Sequence, residues 1–164
     1  VGDDATGRLS VFFEKPVTRT SEGAFRVDLS ADERTLLGSL PGQLRQLLDL
    51  DDPSVARLFP PAYAEDPDRE QEYRRLMKDE LLSRRLEALA TLEETLDVPM
   101  LSEEQILIWM RVINDFRLVL GTMLDVNEDD DPGEIDAADP QASMRAVYWY
   151  LGGLLQAILE ALDA

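Results

Sequence analysis

The chain has 164 residues, 45% of them hydrophobic, with 16 Lys and Arg against 34 Asp and Glu, a net charge of −18. That length and apolar share suit one domain with a core that needs no staples. With no cysteine and no histidine, disulfides, thiolate catalysis and cysteine redox switching are excluded, the commonest general base and metal ligand are gone, and the acidity opposes attachment to a phosphate backbone.

What remains open to catalysis is carboxylate chemistry, lysine chemistry at Lys15 or Lys78, or a hard metal held by oxygen. No secretory signal is legible. The longest uncharged run, residues 146–159, falls short of the ~20 residues a spanning helix needs. A cytoplasmic protein that does not enter a membrane is expected.

In chain order, residues 1–8 are small and polar, a disordered lead-in to a single domain over residues 9–164. Leu9, Val11 and Phe13 fall at alternate positions, and after a loop Phe25, Val27 and Leu29 do the same. This period of two predicts a β-hairpin, which must lie on helices because two strands are marginal alone. Ser30 with Glu33 forms a capping box that opens a helix. Its apolar positions are Leu36, Leu37, Leu40, Leu44, Leu47 and Leu48, and Pro41 inside it predicts a kink or a break near Ser39.

Asp52-Pro53, Asp66-Pro67 and Asp139-Pro140 repeat one device, an Asp N-cap followed by Pro at the first helical position. The first predicts a short helix over residues 53–59, stopped by Pro60-Pro61. The second predicts a helix from residue 67 to about 96, carrying Tyr73, Leu76, Leu82, Leu86, Leu89, Leu92 and Leu96; at ~45 Å it is long enough to brace the whole domain. The third opens a last helix from Pro140 to about Leu162, with Val147, Leu151, Leu154, Leu155, Ile158 and Leu162 on its stripe. Gly152-Gly153 lie in its middle, where each glycine costs ~1 kcal/mol, so the pair predicts close approach of another backbone.

Between these, Ser102 and Gln105 form a second capping box that opens the strongest helix of the sequence, residues 102–124. Its apolar arc, from Ile106 and Trp109 to Leu120 and Leu124, is wide enough to predict a central position. Arg111, Asn114, Asp115 and Thr122 occupy the narrow polar face, with Arg111 and Asp115 spaced as an i,i+4 pair. Arg117 projects into the apolar arc, so it is expected at least half-buried and paired with a carboxylate of another segment. The expected fold class is mostly α, an N-terminal β-hairpin packed on a bundle of four to five helices, α+β by strict count.

Two groups of side chains invite a functional reading. Arg74, Lys78 and Arg85 line one face of the long helix as a candidate partner-binding stripe, with internal ion pairing as the plainer alternative. Arg111, Asn114, Asp115 and Arg117 form a candidate structural polar network, with no base or nucleophile partner that would make them catalytic. Trp109 and Trp149-Tyr150 read as core. Residues 125–139 hold eight carboxylates and no basic residue. Asp125, Asn127, Asp129 and Asp131 alternate there as in a calcium loop, but Asp130 stands where the turn glycine belongs and Asp136 where the bidentate Glu belongs. A solvated, mobile loop is expected. No phosphate loop, nucleophile elbow or metal motif appears, so no catalytic, metal or cofactor-binding residue is assigned and no cofactor is expected.

The runs SVARLFPPAYAEDPDREQEYRRLMKDEL, WMRVINDFRLVLGTMLDV and AVYWYLGGLLQAILEAL resemble an actinobacterial family described only as a domain of unknown function, which includes the actinomycete oxidative-stress regulator. The likeness covers nearly the whole chain from Phe25 onward. It is carried by the order of landmarks: Val55 to Pro60, then Arg74 to Leu76, then NDFRLVLGT. The resemblance implies a non-enzymatic regulator of transcription and stress response that acts through a protein partner, a sigma factor or another regulator. Monomer and homodimer both remain open, and direct DNA binding is expected to be weak or absent. The regulator's redox switch, an intrachain disulfide, cannot form in a chain without cysteine. Two other readings stand beside this one: a divalent-metal-binding protein or metal-dependent enzyme using residues 125–139 as oxygen ligands, and a scaffold that oligomerises through the glycine pair and aromatics of the last helix.

Overall fold

The computed structural model of the protein describes residues 15–126 and 135–164. Strands β1 (Val17–Arg19) and β2 (Phe25–Val27) form an antiparallel hairpin that pairs Val17 with Val27 and Arg19 with Phe25. Its turn closes through the Gly23 amide on the Thr20 carbonyl at 3.0 Å, with Gly23 at φ +82, a conformation open to glycine at little cost. The earlier strand expected at Leu9 to Phe13 lies outside the described residues. The strand that pairs with β2 is Val17–Arg19, where a single apolar residue gives no alternation to read. A third strand, β3 (Met100–Leu101), adds to the other edge of β2, pairing Phe25 with Leu101. Val17, Phe25, Val27 and Leu101 all point inward and are essentially inaccessible.

Helix α1 (Ala31–Asp49) opens on the expected capping box, with the Glu33 amide on Ser30 Oγ at 3.2 Å and the Ser30 amide on Glu33 Oε2 at 2.7 Å. Leu37, Leu40, Leu44 and Leu48 are its buried face. The helix does not break at Pro41: it runs through without interruption, and the Pro41 ring is itself buried beside Leu40. Packing of that ring offsets the hydrogen bond that proline cannot donate to the Leu37 carbonyl. Arg45 holds α1 to the next long helix through a two-pronged bond to Glu93, at 2.8 and 2.6 Å.

Asp52 caps a short 3₁₀ helix (Pro53–Leu58) by accepting from the Ser54 amide at 2.9 Å, and Val55 and Leu58 are buried from it. Helix α2 (Pro67–Thr95) starts on Asp66, which accepts from the Arg69 amide. Its buried residues are Ala88, Leu89, Leu92 and Thr95. The long helix therefore braces the domain with its C-terminal half, where Leu82 and Leu86 also pack against the core. Residues 67–87 carry no fully buried side chain, and Leu76, expected on the apolar stripe, is 65% exposed.

Helix α3 (Glu103–Met123), opened by the Ser102–Gln105 capping box, is the centre of the molecule and touches α2, α4 and the 3₁₀ helix. Ile106, Trp109, Val112, Ile113, Phe116 and Val119 are buried along it. Each large apolar side chain so placed contributes about 1.5–3 kcal/mol. The polar edge of Trp109 is satisfied, its Nε1 donating to the buried Thr95 hydroxyl at 2.8 Å while that hydroxyl donates to the Thr91 carbonyl.

Helix α4 (Ala142–Leu162) packs on α3 and lies beside β1, burying Leu151, Leu154, Ile158 and Ala161. It begins two residues later than the Asp139-Pro140 signal predicts. Asp139 is taken by a turn, accepting from the Gln141 amide at 2.9 Å and from Arg145 Nε at 3.0 Å. Among the described residues, four α-helices, the 3₁₀ helix and the three-stranded sheet thus share one core running from Val17 to Ala161. Among the described residues no helix is long and apolar enough to cross a membrane.

Candidate functional site

The seam between α2, α3 and the 3₁₀ helix is tied by one arginine. Arg85 of α2 donates through Nη1 to Asp115 Oδ2 of α3 and through Nη2 to the Leu58 carbonyl, and its guanidinium lies 5.0 Å from the Phe59 ring centroid. Asp115 is buried. Desolvation pushes its carboxyl above the usual value, opposed by the Arg85 hydrogen bond, then by the charge of Arg85 and of the more distant Arg111. Arg85 Nε is buried and meets no acceptor among the described residues.

Beside this seam, the exposed part of α2 and the 3₁₀ helix wall a cleft of about 610 Å³, within the size range of ligand sites. Its apolar wall is built by Val55, Leu58, Phe59, Tyr73 and Leu82, and Arg74, Arg75 and Lys78 rise along the α2 side. Most of its carboxylates are already engaged. Glu70 accepts from Arg74 Nε at 2.8 Å and from the Tyr63 amide at 2.8 Å, and the Arg74 bond leads in holding its carboxyl below the ordinary value. Asp52 is held down in the same way by Ser54. Asp51, at φ +50, stands 3.8 Å from Lys78 Nζ, with both side chains well exposed. Among the described residues no carboxylate lies within ion-pair distance of Arg75.

The segment after the 3₁₀ helix is pinned to α2 by aromatic contacts. Tyr63 meets Tyr73 edge to face at 5.9 Å between centroids, and Arg69 lies 4.8 Å over the Tyr63 ring, a cation–π contact worth ~0.5–1 kcal/mol at an exposed site. A second hollow, walled by Pro61, Tyr63, Ala64 and Gln71, adjoins the cleft and shares Glu70 and Arg74 with it.

The predicted basic stripe is therefore gathered in one place: Arg74, Lys78 and Arg85 all line the cleft, Arg85 at its floor as a tie between helices. The predicted polar network is not gathered. Asp115 pairs with Arg85, not with Arg111, because burial against α2 brings a cation closer than the i−4 position of its own helix. Arg111 and Asn114 are exposed. Arg117 faces α4, its guanidinium 4.8 Å over the Tyr148 ring, and among the described residues it has no carboxylate partner. An aromatic face has replaced the acid expected there.

The glycine pair is explained in part by the same arginine. A Cβ on Gly152 would stand 3.4 Å from the Arg117 guanidinium, so the close neighbour is a side chain and not the backbone expected, while a Cβ on Gly153 would meet nothing within 4 Å. Tyr150 is nearer core than surface, its pKa raised by desolvation and then by the charge and hydrogen bonding of Glu33. Of the calcium-like positions, Asn127, Asp129, Asp130 and Asp131 lie outside the described residues. Among the described residues no cluster of three or more carboxylates is placed to hold a metal ion.

Phe59, Tyr63, Tyr73 and Leu82 were not singled out as site residues by sequence. The signal was present in the Phe59-Pro60-Pro61-Ala62-Tyr63 run, an aromatic and proline stretch with no core pattern of its own. No curated protein and no solved structure matches the chain. The model of the family described as a domain of unknown function, DUF2017, matches residues 14–162, and the chain belongs to that family.

Proposed function

We propose that this protein is a non-enzymatic, cytoplasmic interaction protein, a regulator of transcription in the response to stress that works through a protein partner. The observation that carries the reading is the exposed N-terminal half of α2. A helix that over residues 67–81 packs no side chain on the core, displays Leu76 at 65% exposure and walls an aromatic cleft gains little there from its own fold. Apolar surface held out in this way marks a place where another molecule is received. The runs through Val55 to Pro60 and Arg74 to Leu76, which carry the resemblance to the oxidative-stress regulator's family, both contribute to the wall of this cleft, the second through Arg74 and Arg75.

The test is co-purification of the tagged full chain from its own host, with partners identified by mass spectrometry, beside Leu76→Asp and Tyr73→Ala variants. A transcription-associated partner recovered with the unaltered chain and lost with both variants supports the reading. Recovery of no such partner, or equal recovery with the variants at unchanged melting temperature, overturns it.

A further inference from the structure

We propose that the cleft between the 3₁₀ helix and α2 receives a partner segment whose apolar side chains are flanked by carboxylates, the apolar groups against Phe59, Tyr73 and Leu82 and the carboxylates on Arg75 and Lys78. The inference rests on the reading of the protein as an interaction protein and names the chemistry of what it receives.

Charge carries the choice of occupant. Among the described residues the cleft is lined by four cations, Arg74, Arg75, Lys78 and Arg85, against three carboxylates, Asp51, Asp52 and Glu70, with Asp115 behind Arg85 as a fourth, a local balance of charge on a chain whose total is −18. Two of those cations are spent internally, Arg74 on Glu70 and Arg85 on Asp115. Of the carboxylates, Glu70 is spent on Arg74 and the Tyr63 amide, while Asp52 accepts from the Ser54 amide and keeps its charge. Arg75, without a carboxylate among the described residues, and Lys78, with only a 3.8 Å approach from an exposed Asp51, are what the cleft offers a ligand.

At physiological ionic strength the screening length is about 8 Å, so charges inside the cleft decide what docks there while the acidity of the remote surface is largely screened. A nucleic acid fits less well. Its phosphates recur too closely to avoid Asp51 and Glu70. A peptide places one or two carboxylates and fills the remainder with apolar side chains, which is what this wall accepts.

The sequence provides its own reporter, because Lys15 and Lys78 are the only lysines. The probe is a fluorescein-labelled peptide with Leu at i, i+3, i+4 and i+7 and Glu between them, titrated into the full chain by anisotropy. Two control peptides replace Glu by Lys or Leu by Ser. Carbodiimide coupling then marks which lysine meets a carboxylate of the probe.

The expected result is binding about tenfold tighter for the acidic apolar peptide than for either control, and a loss of about tenfold in the doubly substituted Arg75→Glu, Lys78→Glu chain. The peptide amide should form at Lys78 and not at Lys15. In Lys78→Arg the coupling should vanish while affinity stays, which separates charge from reactivity. Equal binding of all three peptides, undiminished binding by the double variant, or coupling at Lys15 overturns the proposal. So does a Lys78 cross-link to a second copy of the chain, or tight duplex DNA binding abolished by the double variant. A host partner still recovered with the double variant removes this site and leaves the interaction reading standing. If the unaltered chain recovers no partner, the interaction reading falls, and the peptide measurements still decide the cleft.

Discussion

Arg85 and Asp115, thirty positions apart, meet where α2 crosses α3, and the guanidinium spans from that carboxylate to the Leu58 carbonyl. With both side chains largely buried, the pair is more important for what breaking it leaves behind than for its net attraction. Asp115→Ala strands the guanidinium without its acceptor and should cost ~3 kcal/mol or more, measured by urea denaturation. Asp115→Asn keeps a carbonyl oxygen in place and should cost clearly less. Arg111→Ala, at an exposed position, should stay within ~0.5 kcal/mol. Equal losses at Asp115 and Arg111 would contradict the pairing.

The pH dependence of stability should show two carboxyls of opposite sign. Asp115 has its folded pKa raised above 3.8, chiefly by desolvation, so its contribution is fully present below that value and is lost as pH rises through the raised one. Glu93 has its folded pKa lowered below 4.5, first by the Arg45 hydrogen bond. Its contribution is present above 4.5 and is lost as pH falls through the lowered value. As acid is added, the wild type should gain stability relative to Asp115→Asn and lose it relative to Glu93→Gln. The same sign in both comparisons would show that one assignment is inverted.

The helix glycines should separate by what surrounds them. Gly153 and Gly42 have nothing within 4 Å of an added Cβ, so alanine at either should stabilise by about 0.5–1 kcal/mol. At Gly38 the added Cβ would stand 3.0 Å from Leu96 Cδ2, and at Gly152 it would press on the Arg117 guanidinium. Alanine there should gain less, or lose. Melting temperatures of the four single variants decide this directly.

Direct binding to duplex DNA should be weak at physiological salt, since a net charge of −18 opposes the approach. Anisotropy of the purified chain against promoter DNA should show no tight, sequence-specific complex and no change after brief peroxide treatment, because no thiol is present to oxidise. Tight binding without a partner would overturn the regulator reading in its partner-dependent form.

What could be read from sequence was what is decided within a few residues. The Ser30–Glu33 and Ser102–Gln105 boxes, and the Asp52-Pro53 and Asp66-Pro67 starts, close their bonds across two or three positions and stand as expected. At Asp139-Pro140 the same kind of bond, from the Gln141 amide, closes only a turn, and the α-helix begins two residues on at Ala142. Met100–Leu101 is too short for any period to reveal, and its strand is defined only by the neighbour it pairs with. The partner of Asp115 and the aromatic companion of Arg117 are products of tertiary packing. The cleft was hidden for the same reason: Tyr73 and Leu76 have core spacing, and nothing local says that the core ends before reaching them.

The division of α2 has a consequence for motion. One covalently continuous helix belongs to two cooperative units. Amides near Leu89 and Leu92, buried against α3, should exchange with deuterium only when the whole domain unfolds, while those of residues 67–80 open through local fraying at a much lower free energy. A ligand seated against Tyr73 and Arg75 would suppress that fraying. The protection it confers should spread along the soft stretch and stop where the core takes over, near Ala88.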